Sequence, residues 1–108
     1  MELIQVYASS PPSAIARAIT GVVLEYHQAE VLAVGADAVD QAVQALALAT
    51  NYLRRDGIFV MFVPAFSKVT VENKVRTAIK FVVKPYTNSE LSFRGLSTNS
   101  SSAELPRV

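Results

Sequence analysis

Five cations crowd into one stretch of the chain: Lys68, Lys74, Arg76, Lys80 and Lys84. Cations that reach a single nucleic-acid backbone displace its counterions, and a two-stranded ribbon can deliver them to a groove. The same residues serve equally well as a solvated sheet face, or as charges that keep an edge strand from aggregating. Arg17 and Gln41 are further candidates for phosphate contact; Gln41 and Gln44 share a narrow polar strip of one helix, where surface or interface roles compete. Ser9, Ser10 and Ser13 precede a helix and can accept from its free first-turn amides. Pro11 and Pro12 remove two donors there, so the serines read as a cap rather than an anion site.

Catalytic chemistry finds little to work with. His27 is the sole histidine, beside Glu25 and Glu30, and a lone histidine with two scattered carboxylates is a poor metal set. There is no Ser-His-Asp pattern and no cysteine, which excludes disulfides and thiolate zinc sites. The sequence predicts no enzyme, no cofactor, no metal and no small-molecule substrate. Gly35 in Val-Gly-Ala-Asp is no phosphate loop, because one glycine is a weak signal and Asp37 repels an anion.

A chain of 108 residues fits one domain. It is 51% hydrophobic with mean hydropathy +0.30, a surplus that a homo-oligomer interface would absorb. No apolar run approaches the roughly 20 residues of a membrane span, and the N-terminus resembles no signal peptide, so the expectation is cytoplasmic. Charge is split along the chain. Up to residue 50, Arg17 stands against five carboxylates; residues 51–86 carry seven cations against Asp56 and Glu72.

The elements that must position the cations follow from periodicity. Glu2 to Ala8 alternates loosely and predicts a first strand. Ile15, Ala18, Ile19, Val22, Val23 and Tyr26 form a helical stripe that frays near His27. Val31 to Val34 is apolar throughout and predicts a central strand. Gly35 then turns the chain, and Asp37 is the expected N-cap of a second, alanine-rich helix. On that helix Val39, Ala42, Val43, Leu46 and Ala47 make one stripe; Ala38, Ala45, Leu48, Ala49 and Tyr52 make another, leaving a side for a second subunit. Ile58 to Val63 predicts a strand ended by Pro64-Ala65-Phe66, and Val69 to Val75 a protruding hairpin. In the last strand Val75, Thr77, Ile79, Phe81 and Val83 should face the core, with Arg76, Lys80 and Lys84 opposite. Residues 87–108 are rich in Ser, Thr and Asn and predict a polar tail that is flexible or ordered by a partner. The fold class is therefore α/β, a two-layer α+β sandwich in the order β-α-β-α-β-β over residues 1–86, with both helices on one face of a four-stranded mixed sheet.

Gly35 to Ala45 (Gly-Ala-Asp-Ala-Val-Asp-Gln-Ala-Val-Gln-Ala), Pro64-Ala65-Phe66 and Arg76-Thr77-Ala78-Ile79-Lys80 resemble the stage V sporulation protein S family over about residues 2–86. That family is similar in fold to the Alba chromatin proteins. The resemblance implies an Alba-like homodimer that binds DNA or RNA through the last hairpin and the loop before the first helix. Alba proteins carry lysines in that loop, where this chain has uncharged Ser9-Ser10-Pro11-Pro12-Ser13, and Asp40 stands where the family's helix commonly has a neutral polar residue. The alternative expectation is a protein-interaction or assembly module of a developmental pathway, with no nucleic-acid binding.

Overall fold

The structure is a computed structural model, and it describes residues 3–86. The expected polar tail, 87–108, lies outside the described residues. The order is β1 (Leu3–Val6), α1 (Pro12–Tyr26), β2 (Ala29–Val34), α2 (Ala36–Arg55), β3 (Val60–Val71) and β4 (Lys74–Pro85). The four strands form one mixed sheet in the order β1-β2-β4-β3, with β1 parallel to β2 and the other two pairings antiparallel. The expected α+β sandwich is the one observed.

The two helices cover one face of the sheet. Ile15, Ala16, Ile19, Val22 and Val23 of α1 are buried with Val31 and Ala33 of β2 and Phe81 and Val83 of β4. On α2 the buried set is Ala38, Ala42, Ala45, Leu46, Ala49 and Leu53. The buried face of α2 draws on both expected stripes, taking Ala42 and Leu46 from one and Ala38, Ala45 and Ala49 from the other, while Val43 and Ala47 are exposed. Small side chains let the helix axis approach the layer beneath, which larger valines would hold away.

The ends of the elements depart from expectation in instructive ways. Neither helix has a side-chain cap: Pro11 is the N-cap of α1 and Gly35 that of α2, with Asp37 in the first turn, where its charge suits the helix dipole. The Ser10 hydroxyl accepts instead from the Tyr7 amide (2.9 Å), closing the turn that leads into α1. α1 stops at His27, whose left-handed backbone (φ 62°) lets its amide donate to the Val23 carbonyl.

Pro64-Ala65-Phe66 does not end β3, which continues to Val71. A proline is tolerated because β3 lies at the sheet edge, paired only with β4. Glu72 and Asn73, both at positive φ, form the two-residue turn into β4, a geometry matched to the twist of a hairpin. The hairpin outruns the helices, so Val75 and Thr77, expected in the core, are exposed.

Candidate nucleic-acid interface

Register decides which cations share a face, because directly paired residues lie on the same side of a pleated sheet. Lys74 pairs with Val71, Arg76 with Val69, Lys80 with Ala65 and Lys84 with Met61. All four therefore stand on the helix-free face, at alternating positions of one strand. Ten steps separate Lys74 from Lys84, about 33 Å at the usual rise. Lys68 pairs with Thr77, in step with Phe66 and Ile79, and so belongs to the helix-bearing face. The five cations that look like one cluster in the sequence divide four to one.

The helix-free face is not uniformly positive. Glu30 of β2 reaches this side and its Oε1 lies 3.8 Å from Lys80 Nζ. Between the charges run Leu32, Val63, Ala78 and Val82, of which Leu32 and Ala78 are buried. No aromatic residue falls on this face among the described strand positions. Such a surface can pair with phosphates but has no ring on which a base would stack.

Arg76 reaches the junction of the two layers. A Cβ built on Gly35 would lie 3.5 Å from Arg76 Nη2, so the guanidinium sits at the start of α2. Beside it an open, mainly apolar cleft of about 340 Å³ is lined by Ala33, Gly35, Ala36, Val39, Thr77, Ala78 and Ile79. Thr77 brings the only side-chain polar atom to that lining, which leaves the cleft without an acid, a base or a nucleophilic pair.

The remaining candidates lie elsewhere. Arg17 is exposed on α1, in the helix layer and away from the four β4 cations. Gln41 Nε2 donates to the Ser10 carbonyl (3.1 Å) and the Ala8 carbonyl (3.4 Å), tying α2 to the β1–α1 loop. Gln44 donates to Asp40 Oδ2 at 3.2 Å. Arg55 stacks over the Tyr52 ring, 5.9 Å from its centre. His27, Glu25 and Glu30 do not converge, and no group of three or more metal-ligating side chains occurs among the described residues. The Glu30–Lys80 pair escaped the sequence reading, since the two residues are fifty positions apart and meet only through the β2–β4 pairing.

The architecture is that of a small two-layer α/β domain that carries a row of cations on its last hairpin and a mainly apolar cleft. The family model for stage V sporulation protein S (SpoVS) matches residues 2–86, and the chain belongs to that family. This makes it a sporulation-related protein. The β-α-β-α-β-β order is consistent with the Alba-like fold. No helix among the described residues is long and apolar enough to cross a membrane.

Proposed function

We propose that this protein is a cytoplasmic regulatory factor that binds DNA or RNA, chiefly through backbone phosphates, and acts as a homodimer. The observation that carries the reading is the register of Lys74, Arg76, Lys80 and Lys84 along one helix-free face. A dimer doubles that row, and the absence of aromatic side chains among the described strand positions of the face favours charge contacts over base readout. Lys68, Arg17 and Gln41 are left out of the contact set, because they point to the other face, lie in the helix layer, or are committed to a loop. A second reading, an assembly module that recruits protein partners, draws on Phe66, a large apolar side chain 82% exposed.

The test is binding of labelled duplex DNA, single-stranded DNA and RNA at low and at moderate salt. The wild type is compared with a Lys74, Arg76, Lys80, Lys84→Ala variant. Salt-sensitive binding by the wild type that the variant loses is the expected result, and the preferred probe names the ligand. No binding to any of the three at low salt would overturn the reading in favour of protein partners.

A further inference from the structure

The helices cover one side of the sheet, and on the other side the register exposes an apolar strip. Leu3, Glu30, Val82 and Val63 pair in turn across β1, β2, β4 and β3, so their side chains stand in one row on the helix-free face. The next row away from the hairpin tip pairs Lys84 with Met61. Leu3 and Val63 are 51% and 47% exposed, while Val82 and Met61 are half-buried. Glu30 is turned to Lys80, 3.8 Å away in the row toward the hairpin tip. Lys84 can lay its four-carbon stem on the strip and keep its ammonium in water. The face is thus divided. Lys74, Arg76 and Lys80 stand toward the hairpin tip, and apolar side chains toward the opposite end. A connected apolar set on a sheet face calls for a covering element.

The chain itself supplies one at that end. The Tyr86 amide donates to the Phe59 carbonyl at 2.9 Å, so the backbone leaves β4 two residues from Met61. Twenty-two residues follow, 87–108, and the first ten of them hold Leu91, Phe93 and Leu96. They lie beyond the 2–86 span of the family match. Val63 is level with Val82, four residues before Tyr86, or roughly 13 Å back along the sheet. The seven residues from Tyr86 to Phe93 reach up to about 24 Å, so the segment can double back over the strip. Leu91 and Phe93 are two apart, the spacing that puts both on one side of an extended chain, with Glu90, Ser92 and Arg94 on the other. Tethered so closely, this segment acts at an effective concentration of about millimolar, which a separate partner would have to exceed.

We propose that residues 87–96 of this chain fold back over the helix-free face, with Leu91 and Phe93 packed on Val63, Val82 and Met61. The segment narrows the open part of that face to the hairpin half, where Lys74, Arg76 and Lys80 stand. The inference depends neither on nucleic-acid binding nor on self-association, and its test uses neither, so the proposed function can fail without it.

The full chain contains no tryptophan, so Phe93→Trp introduces a single reporter. Its emission should be shifted to the blue relative to the same chain in urea, and should move to the red when Val63→Asp is added. Val63 is exposed enough for that change to leave the fold intact, which circular dichroism checks. Phe66→Asp, on the opposite face of the same strand, should leave the emission where it is. In a chain without the reporter, Leu91→Asp combined with Phe93→Asp should move the methyl NMR signals of Val63 and Val82 and leave those of Val43, on α2, in place. A reporter emission equal to that in urea overturns the inference and leaves the strip to a separate partner. An emission insensitive to Val63→Asp, or methyl signals unmoved by the double variant, overturns it too. A blue shift lost on dilution does the same, since the cover would then be the segment of another copy.

Discussion

Lys80 and Glu30 meet diagonally across the β2–β4 pairing, Nζ 3.8 Å from Oε1, on the otherwise positive face of the sheet. Both side chains are partly exposed, 38% and 26%, so the pair is screened by solvent and contributes on the order of 0–1 kcal/mol to stability. Its larger effect is on the field a ligand meets. Glu30→Gln removes a charge that repels phosphate and releases Lys80, while the amide keeps the side chain's shape. We expect nucleic-acid affinity to rise about two- to fivefold, with thermal stability shifted by less than about 0.5 kcal/mol. Fluorescence anisotropy and a thermal melt read the two quantities; weaker binding by this variant would contradict the assignment of the face.

Salt dependence separates the cations that touch a backbone from those that do not. Each phosphate contact contributes about −0.9 to the slope of log affinity against log salt for a duplex, and about −0.7 for a single strand. Single alanine variants at Lys74, Arg76, Lys80 and Lys84 should each flatten the slope by about that amount. Arg17→Ala, in the helix layer, should leave it unchanged. A flattened slope for Arg17→Ala with none for the β4 set would move the binding surface to the helices.

Much of the fold was legible because each element carries its own signal. The 3.6-residue recurrence of Ile15, Ile19, Val22 and Val23 marks α1, and the unbroken apolar run at Val31–Val34 marks a strand buried on both sides. What could not be read locally were the choices that neighbours make. The continuation of β3 through Pro64 depends on its lying at the edge, and strand order is a property of the whole sheet. The α2 helix offers two apolar stripes, and only its packing partners decide that the buried face takes Ala42 and Leu46 from one and Ala38, Ala45 and Ala49 from the other. The site divided for the same reason. Alternation identified Arg76, Lys80 and Lys84 as one face, but placing Lys68 opposite them required the β3–β4 register.

Glycines give a sharp contrast of sign. Gly35, with φ 92° and ψ 157°, adopts a backbone conformation that is essentially closed to other residues. Its Cβ would make only ordinary contact with the Arg76 guanidinium, so the cost of Gly35→Ala is in the backbone, about 1–3 kcal/mol. Gly21 lies inside α1, exposed, with open space around its Cβ position. Gly21→Ala should stabilise by about 0.5–1 kcal/mol. Urea unfolding of both variants checks the pair, and a destabilised Gly21→Ala would mean that α1 has a partner over that surface.

The alanine face of α2 sets how closely the helix lies on the core, and two substitutions probe it from opposite directions. Leu53 is fully buried near the end of the helix, and Leu53→Ala should cost about 2–5 kcal/mol, according to how far the core relaxes into the space. Ala45 is also fully buried, but it is a small residue against tight packing. Ala45→Leu adds volume that can be accommodated only by lifting α2, at about 1–3 kcal/mol. Lifting α2 also moves the Gln41 amide away from the Ser10 carbonyl, so Ala45→Leu should loosen the β1–α1 loop as well. Amide exchange distinguishes the two: faster exchange at Tyr7, whose amide is held by Ser10, is expected in Ala45→Leu and not in Leu53→Ala. Equal protection of Tyr7 in both variants would show that α2 yields without displacing its tether.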